Sequence, residues 1–270
     1  MEEKALIMAG YLTEHDIPLI QRFITGTETS IEELKEIITE KNKNMFFLQG
    51  DVAGKPKFID FDKTHTNMLD SLTVKLKESM FFGDVEWYFK NVEIESLLSS
   101  AIYLDLNKVE QFSSQFSTGD FSTVLQICLD TKRSPVPLTI EGNTALYQCE
   151  NNETIQFQIC YNNHLQILHR GNISPVKVVR INDKYRLIDG HHRALALKNA
   201  GFNHIPAVVL HDNPGLEYGP RFRYGEPALL RDNPPLMEYF CRKECAAELP
   251  LRKKHLRVFK VQLETINITN

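Results

Sequence analysis

The chain has 270 residues, of which 42% are hydrophobic and 24% charged. That is the balance of a soluble globular protein with a core of normal size, in one large domain or two small ones. The formal net charge of −4 argues against nucleic-acid binding by bulk charge, since neutralising phosphates takes clustered Lys and Arg; a local basic groove stays open.

In chain order, Thr13-Glu14-His15-Asp16 opens a helix running to about Ile24. Ser30 and Glu33 form a capping-box pattern for a second helix. Met45 to Gln49 reads as a strand, Asp51 to Pro56 as a turn and Lys57 to Phe61 as the return strand of a hairpin. Leu72 to Leu76 alternates apolar and polar residues, a half-buried strand pattern. Val85 to Phe89 is strand-like and carries the only tryptophan, Trp87, a residue for the core or for stacking on a base or partner. Ile94 to Leu98 suits a short helix.

Ala101 to Leu106 reads as a strand leading into a helix over Asn107 to Phe112. Asp120 caps a helix through Leu129, and Pro135 and Pro137 end that region. Leu138 to Gln148 and Thr154 to Cys160 read as two strands joined by the polar turn Glu150-Asn151-Asn152-Glu153. His164 to Arg170 is apolar at Leu165, Ile167 and Leu168. Pro175 to Arg180 and Tyr185 to Ile188 are strands about a turn at Ile181-Asn182-Asp183-Lys184. A helix follows to Asn199, with Gly201 as its C-cap, and then a strand over Ile205 to Leu210. Beyond His211 come proline- and glycine-marked loops, a short helix from Leu236 to Glu248 and a last strand from Leu256 to Leu263.

The elements together predict an α+β (mixed α/β) fold. Three regions are expected: an N-terminal α/β region over 1–98, a central domain over 99–212 and a C-terminal extension over 213–270 that packs on it. The N-terminal region is a candidate surface for a protein partner. Met1-Glu2-Glu3-Lys4 lacks the basic start of a signal peptide, and no apolar run reaches the roughly 18 residues of a membrane span. A cytoplasmic, reduced protein without membrane contact is expected. The five cysteines (128, 149, 160, 241 and 245) are odd in number and irregular in spacing, which argues against a disulfide framework. Cys241 and Cys245, on one face if that segment is helical, suit either a zinc pair with His255 or two ordinary thiols; the second reading needs fewer partners.

Asp189-Gly190-His191-His192-Arg193 is the most informative stretch. It lies between an apolar strand and a helix. A glycine there lets the backbone turn sharply, and the first helical turn offers unpaired N–H groups and the positive end of the peptide dipole. Two histidines and an arginine at that point suit a phosphate or another anion. Adjacent helix residues do not share a face, so one histidine can be buried while the other is solvated.

From about 172 to 210 the chain resembles the ParB/sulfiredoxin fold, also called the ParB-like nuclease domain. The resemblance rests on Pro175-Val176-Lys177-Val178-Val179-Arg180, then Leu187-Ile188-Asp189-Gly190-His191-His192-Arg193, then Ala200-Gly201 and Ile205-Pro206-Ala207-Val208. ParB-like members carry Gly-Glu-Arg-Arg at this turn and bind CTP; sulfiredoxins carry Gly-Cys-His-Arg and use ATP. Serine kinases of the fold carry motifs closest to the present one and phosphorylate a free amino acid.

The resemblance implies ATP or another nucleotide, with Mg²⁺, and a small-molecule phosphate acceptor. It makes Gly190, His192 and Arg193 the phosphate-contacting residues; Ser174, which with Lys177 flanks the strand before the motif, either lines the nucleotide pocket or is a loop serine before proline. His191, in place of the sulfiredoxin cysteine, and Asp189 are the catalytic candidates. Asp189 would hold Mg²⁺, orient a histidine or cap the helix. Without the thiol, sulfiredoxin chemistry is not expected, and the tail after residue 213 lacks the adjacent helices of a helix-turn-helix. Tyr103 to Val109 matches the family's first strand best, which makes Asp105 and Glu110 candidate bases and the region from 138 to 160 an insertion.

Two further clusters stand apart. Tyr218 to Gly225 mixes aromatics with Arg221 and Arg223, suited to stacking on a base or to packing across the domain. Arg252 to Arg257 is a basic run, a solvated face or a contact for an anionic partner. The expected activity is phosphotransfer or nucleotide hydrolysis. The alternatives are a DNA-binding or nuclease protein of the ParB-like class and a non-catalytic interaction module.

Overall fold

A computed structural model describes residues 3–45, 54–77, 85–129, 138–141, 144–149, 154–159, 165–170, 175–211, 223–224, 226–252 and 257–262. Contacts divide the chain into two units, Met1–Asp130 with Ser174–Arg252, and Thr131–Ile173 with Lys253–Asn270. The first unit begins with β1 (Lys4–Ile7), α1 (Ile17–Ile20), α2 (Ile31–Met45), β2 (Phe58–Ile59), α3 (Thr66–Lys77), β3 (Trp87–Glu93), β4 (Leu98–Ser99), β5 (Tyr103–Asp105), α4 (Leu106–Thr118) and α5 (Phe121–Leu129). The second unit follows with β6 (Leu138–Glu141), β7 (Thr144–Cys149), β8 (Thr154–Ile159) and β9 (Leu165–Arg170). The chain re-enters the first unit with β10 (Lys177–Ile181), β11 (Lys184–Asp189), α6 (His191–Asn199), β12 (His204–Leu210), α7 (Glu226–Leu229) and β13 (Ala247–Pro250). The last strand, β14 (Arg257–Gln262), belongs to the second unit.

The fold is α+β, as the element pattern predicts. Among the described residues the first unit holds a six-stranded sheet of order β2-β3-β12-β10-β11-β4 and a three-stranded sheet of order β13-β1-β5. β10 and β11 form an antiparallel hairpin whose turn residue Asn182 takes φ 57°, a left-handed conformation that asparagine tolerates. The chain then passes through α6 and lays β12 parallel to β10. This crossover positions the Asp189–Arg193 turn.

The helix after that turn is buried nearly all round, at Ala194, Leu195, Ala196 and Leu197, so it forms a core element rather than a surface amphipath. It packs on α4, where the Ser113 hydroxyl donates to the Ala196 carbonyl at 3.4 Å. Gly201 closes it at φ 89°, with the Phe202 N–H on the Leu197 carbonyl at 3.0 Å; the expected C-cap is in place.

Two other caps sit where the sequence puts them. The Glu33 N–H donates to Ser30 Oγ at 3.1 Å, and the Thr123 N–H to Asp120 Oδ1 at 2.9 Å. The helix expected from Thr13 is broken into a 3-10 turn, the short α1 and a π turn at Gln21–Thr25. The helix expected over Asn107 to Phe112 runs on to Thr118.

Several expectations are corrected. Leu72 to Leu76 lies within helix α3, not a strand. Leu72 and Leu76, four apart, are buried while Val74 is 58% exposed, so the alternation was a short sample of a helical stripe. Met45 ends α2 rather than opening a strand, and residues 46–49 lie outside the described residues. β2 pairs with β3, so the described half of the expected hairpin joins the large sheet. Ile94 to Leu98 is a turn that ends in β4, beside β11.

Leu138 to Gln148 is two paired strands, β6 and β7. The Gly142-Asn143 dipeptide between them is a two-residue hairpin signal. β8 pairs with β9, and β14 pairs with β7. The stretch from 138 to 160, expected as an insertion, lies in the second unit. Leu236 to Glu248 is a 3-10 turn (Met237–Cys241) that leads towards β13, so Cys241 and Cys245 do not share a helix face. The first is exposed and the second buried, its thiol pushed up to about 11 chiefly by burial. Residues 213–270, expected as one extension, are divided between the two units. The boundary expected near residue 98 falls within the first unit, where β3 pairs with β12 and β1 with β13.

Candidate functional site

The site begins at a glycine that no other residue replaces easily. Gly190 takes φ 101° and ψ 15° between β11 and α6. A Cβ built there would come within 2.7 Å of Val176 Cγ2. The left-handed backbone and the close approach to Val176 both call for glycine. The Gly190 carbonyl accepts the Ala194 N–H at 2.8 Å, so it starts the helix. The N–H groups of a first turn find no partner within their own helix.

The three side chains after the glycine leave in three directions. His191 is buried, 7% exposed, with Nε2 at 3.3 Å from Ser100 Oγ; that hydroxyl donates to the Leu187 carbonyl at 3.0 Å. His192 Nε2 accepts the Asp105 backbone N–H at 3.0 Å, at the start of α4. Arg193 is buried, 6% exposed. Its Nη1 donates to the Ile127 carbonyl at 3.1 Å and the Cys128 carbonyl at 3.4 Å, at the end of α5. Its Nη2 reaches Asp189 Oδ1 at 3.4 Å. The turn is thus tied to the β4–β5 connection, to the N-terminus of α4 and to the C-terminus of α5. The arginine places positive charge at a helix C-terminus, the end that favours cations.

Burial pushes the His191 imidazole well below the ordinary histidine value; Arg223 and His192 add to this, and the hydrogen bond with Leu187 opposes it. A neutral His191 in the folded chain sets a pH dependence. Below about pH 6.5 the unfolded chain takes up a proton that the folded chain refuses. The stability due to this group is therefore complete above about pH 6.5 and is lost as the pH falls towards the lower folded value. Urea unfolding between pH 8 and 5 is expected to show the decline, with a slope approaching about 1.4 kcal/mol per pH unit from this one group. His191→Gln flattens it; equal slopes in the two proteins would contradict the burial argument.

Asp189 lies at the centre of a basic cluster. Its carboxylate oxygens face Arg193 at 3.4 Å and Lys177 Nζ at 3.9 Å, and its side chain is 39% exposed, so the cluster opens to solvent there. Lys177 pairs with Asp189 across the β10–β11 ladder, where the register shifts between Lys177 and Val178. Burial pushes the Lys177 ammonium below the ordinary lysine value; Asp189 opposes this, and Arg193 and Arg223 add to it. Arg223 is half-buried. Burial lowers its guanidinium, Asp189 opposes, and Arg186 adds to the lowering.

Asp105 is buried and caps α4, accepting the Asn107 N–H at 3.1 Å. Glu110 is exposed on the same helix. Ser174 lies outside the described residues, as do residues 218–222 of the aromatic–arginine cluster and 253–256 of the basic run. Tyr224, from the first of these, is buried and donates its hydroxyl to the Met8 carbonyl at 2.9 Å. Arg252 donates to the Arg22 carbonyl at 2.8 Å. Trp87 is half-buried against the core, its ring 5.2 Å from that of Phe89.

Two participants escaped the sequence reading. Ser100 carries no sequence signal, because a buried serine is recognised only by what it touches. Arg186 reads as the outward residue of an alternating strand.

No solved structure matches the chain. Residues 153–215, which include the Gly190 turn and the strands on both sides of it, match the family model of the ParB N-terminal domain; this agrees with the ParB/sulfiredoxin-like superfamily.

Proposed function

We propose that the chain binds a nucleotide by its phosphates at the start of α6 and uses Mg²⁺ for phosphoryl transfer to a small-molecule acceptor, or to water. The supporting observation is the gathering of Lys177, Arg193 and Arg223 around Asp189 at a left-handed turn that opens a helix. Phosphoryl transfer asks mainly for positioning and charge stabilisation, and this arrangement offers both. His191 and Arg193 act as braces of the turn, and the first-turn amides, Lys177 and Arg223 supply the charge. The basic cluster fits phosphate oxygens. Mg²⁺ usually takes one or two carboxylates with phosphates and water, and Asp189 is the partly exposed carboxylate at this turn; the ion would neutralise the phosphates on which it arrives.

Isothermal titration with ATP, ADP and CTP, each with and without Mg²⁺, tests the reading. Binding of at least one nucleotide is expected, with ADP or phosphate released when an acceptor is supplied. A folded protein that takes up none of them would refute it.

The match to the ParB N-terminal domain favours a second reading, a DNA-acting protein of the same fold. It requires duplex DNA binding that weakens steeply with salt, and a gel shift at low ionic strength decides it.

A further inference from the structure

The inference rests on the reading above, that an anion binds at the start of α6, and concerns which groups hold it and what kind of anion fits. Arg193 is the arginine of the motif, but its fork is engaged by the Ile127 and Cys128 carbonyls and by Asp189. Arg223 reaches the same place from a distant part of the chain. Its backbone bridges Ala101, and the next residue is fixed twice: the Tyr224 N–H donates to the Ser100 carbonyl at 2.9 Å, and its hydroxyl reaches Met8. These contacts set Arg223 beside Ser100, the residue that touches His191. Its charge acts on Asp189, Lys177 and His191.

We propose that Lys177 and Arg223 form a two-sided clamp for a polyphosphate chain, and that Arg193 and His191 position the turn between them without touching the ligand. Lys177 stands on one side of Asp189, on the neighbouring strand. Arg223 comes from the segment before α7. Cations brought close together and partly out of water repel one another, and a ligand with several linked negative charges relieves that repulsion better than a single phosphate. A planar guanidinium and a point-like ammonium also suit different oxygens of one chain, the first bidentate and the second not. The Asp189 carboxylate, open to solvent, shares or yields its cations when phosphates arrive. The ligand class is a nucleoside di- or triphosphate, or another compound with two or more linked phosphoryl groups.

The full chain is titrated with orthophosphate, pyrophosphate and tripolyphosphate, and with the nucleotide found to bind. Lys177→Gln, Arg223→Gln and Arg223→Lys are compared with wild type, with urea midpoints as the check on folding. Wild type is expected to prefer tripolyphosphate to orthophosphate by at least about tenfold. Lys177→Gln and Arg223→Gln each weaken tripolyphosphate by about tenfold to a hundredfold, and Arg223→Lys retains part of the affinity. Lys177→Gln and Arg223→Lys still decide the matter if Arg223→Gln fails to fold. The proposal falls if wild type binds nucleotide and the folded variants bind as wild type does, or if orthophosphate binds as tightly as tripolyphosphate. If wild type binds none of these ligands, the nucleotide reading falls, and the clamp with it.

Discussion

Gly190→Ala is expected to lower the unfolding free energy by about 2–6 kcal/mol. Two effects combine. A non-glycine residue held at φ 101° is strained by roughly 1–3 kcal/mol. The new methyl also meets Val176 Cγ2 at 2.7 Å, and overpacking of this kind costs about 1–3 kcal/mol. Val176 is fully buried, so it has little room to retreat. The two effects separate in a double variant. Val176→Ala makes room for the methyl but leaves the backbone strain, so Gly190→Ala should be less harmful on that background by the overlap part alone. Equilibrium urea unfolding of the four proteins measures this. A Gly190→Ala midpoint equal to wild type would mean that the turn is not left-handed.

Arg193→Ala is the second large effect, about 2–4 kcal/mol. The guanidinium is almost fully buried and holds two carbonyls at the end of α5 as well as Asp189. Its removal leaves those carbonyls without these donors and opens a cavity under the turn. The Asp189 carboxylate regains water because its side chain is 39% exposed, which keeps the loss below that of a fully buried pair. Arg193→Lys restores charge without the planar fork and should recover less than half. Thermal melts and urea midpoints are the readout. An Arg193→Ala protein as stable as wild type would show the arginine facing solvent, available to a ligand directly.

The motif and its frame were legible because each part is a local signal. The β10–β11 hairpin, the glycine, the helix start and the Gly201 cap all lie within about 25 residues, and each follows from residue chemistry over a few positions. The sheet order was not legible. β12 pairs with β3 across more than a hundred residues, and the edge strands β2 and β4 are two residues long, too short for any periodicity. Leu72–Leu76 misled because five residues sample barely more than one helical turn. Leu236–Glu248 misled because apolar residues for a 3-10 turn and for a strand followed one another.

Within the site, the sequence showed that two histidines and an arginine follow the glycine, but not which way each points. That depends on Ser100, Asp105 and the end of α5, three partners that the fold alone brings in. Arg223 was noticed for its aromatic neighbours, whereas its place near Ser100 comes from a backbone bridge to Ala101.

The Val176 N–H donates to the Cys128 carbonyl at 2.7 Å, so the chain departs from the first unit and rejoins it almost at one point. That doorway is framed by the motif itself, since Arg193 grips Cys128 and Gly190 rests on Val176. The detour between the two posts can therefore lengthen, shorten or change its fold over generations while the turn stays as it is. The same junction ties Arg193 and Gly190 to the two ends of the break in the first unit, so a substitution at Cys128 or Val176 acts on the motif directly.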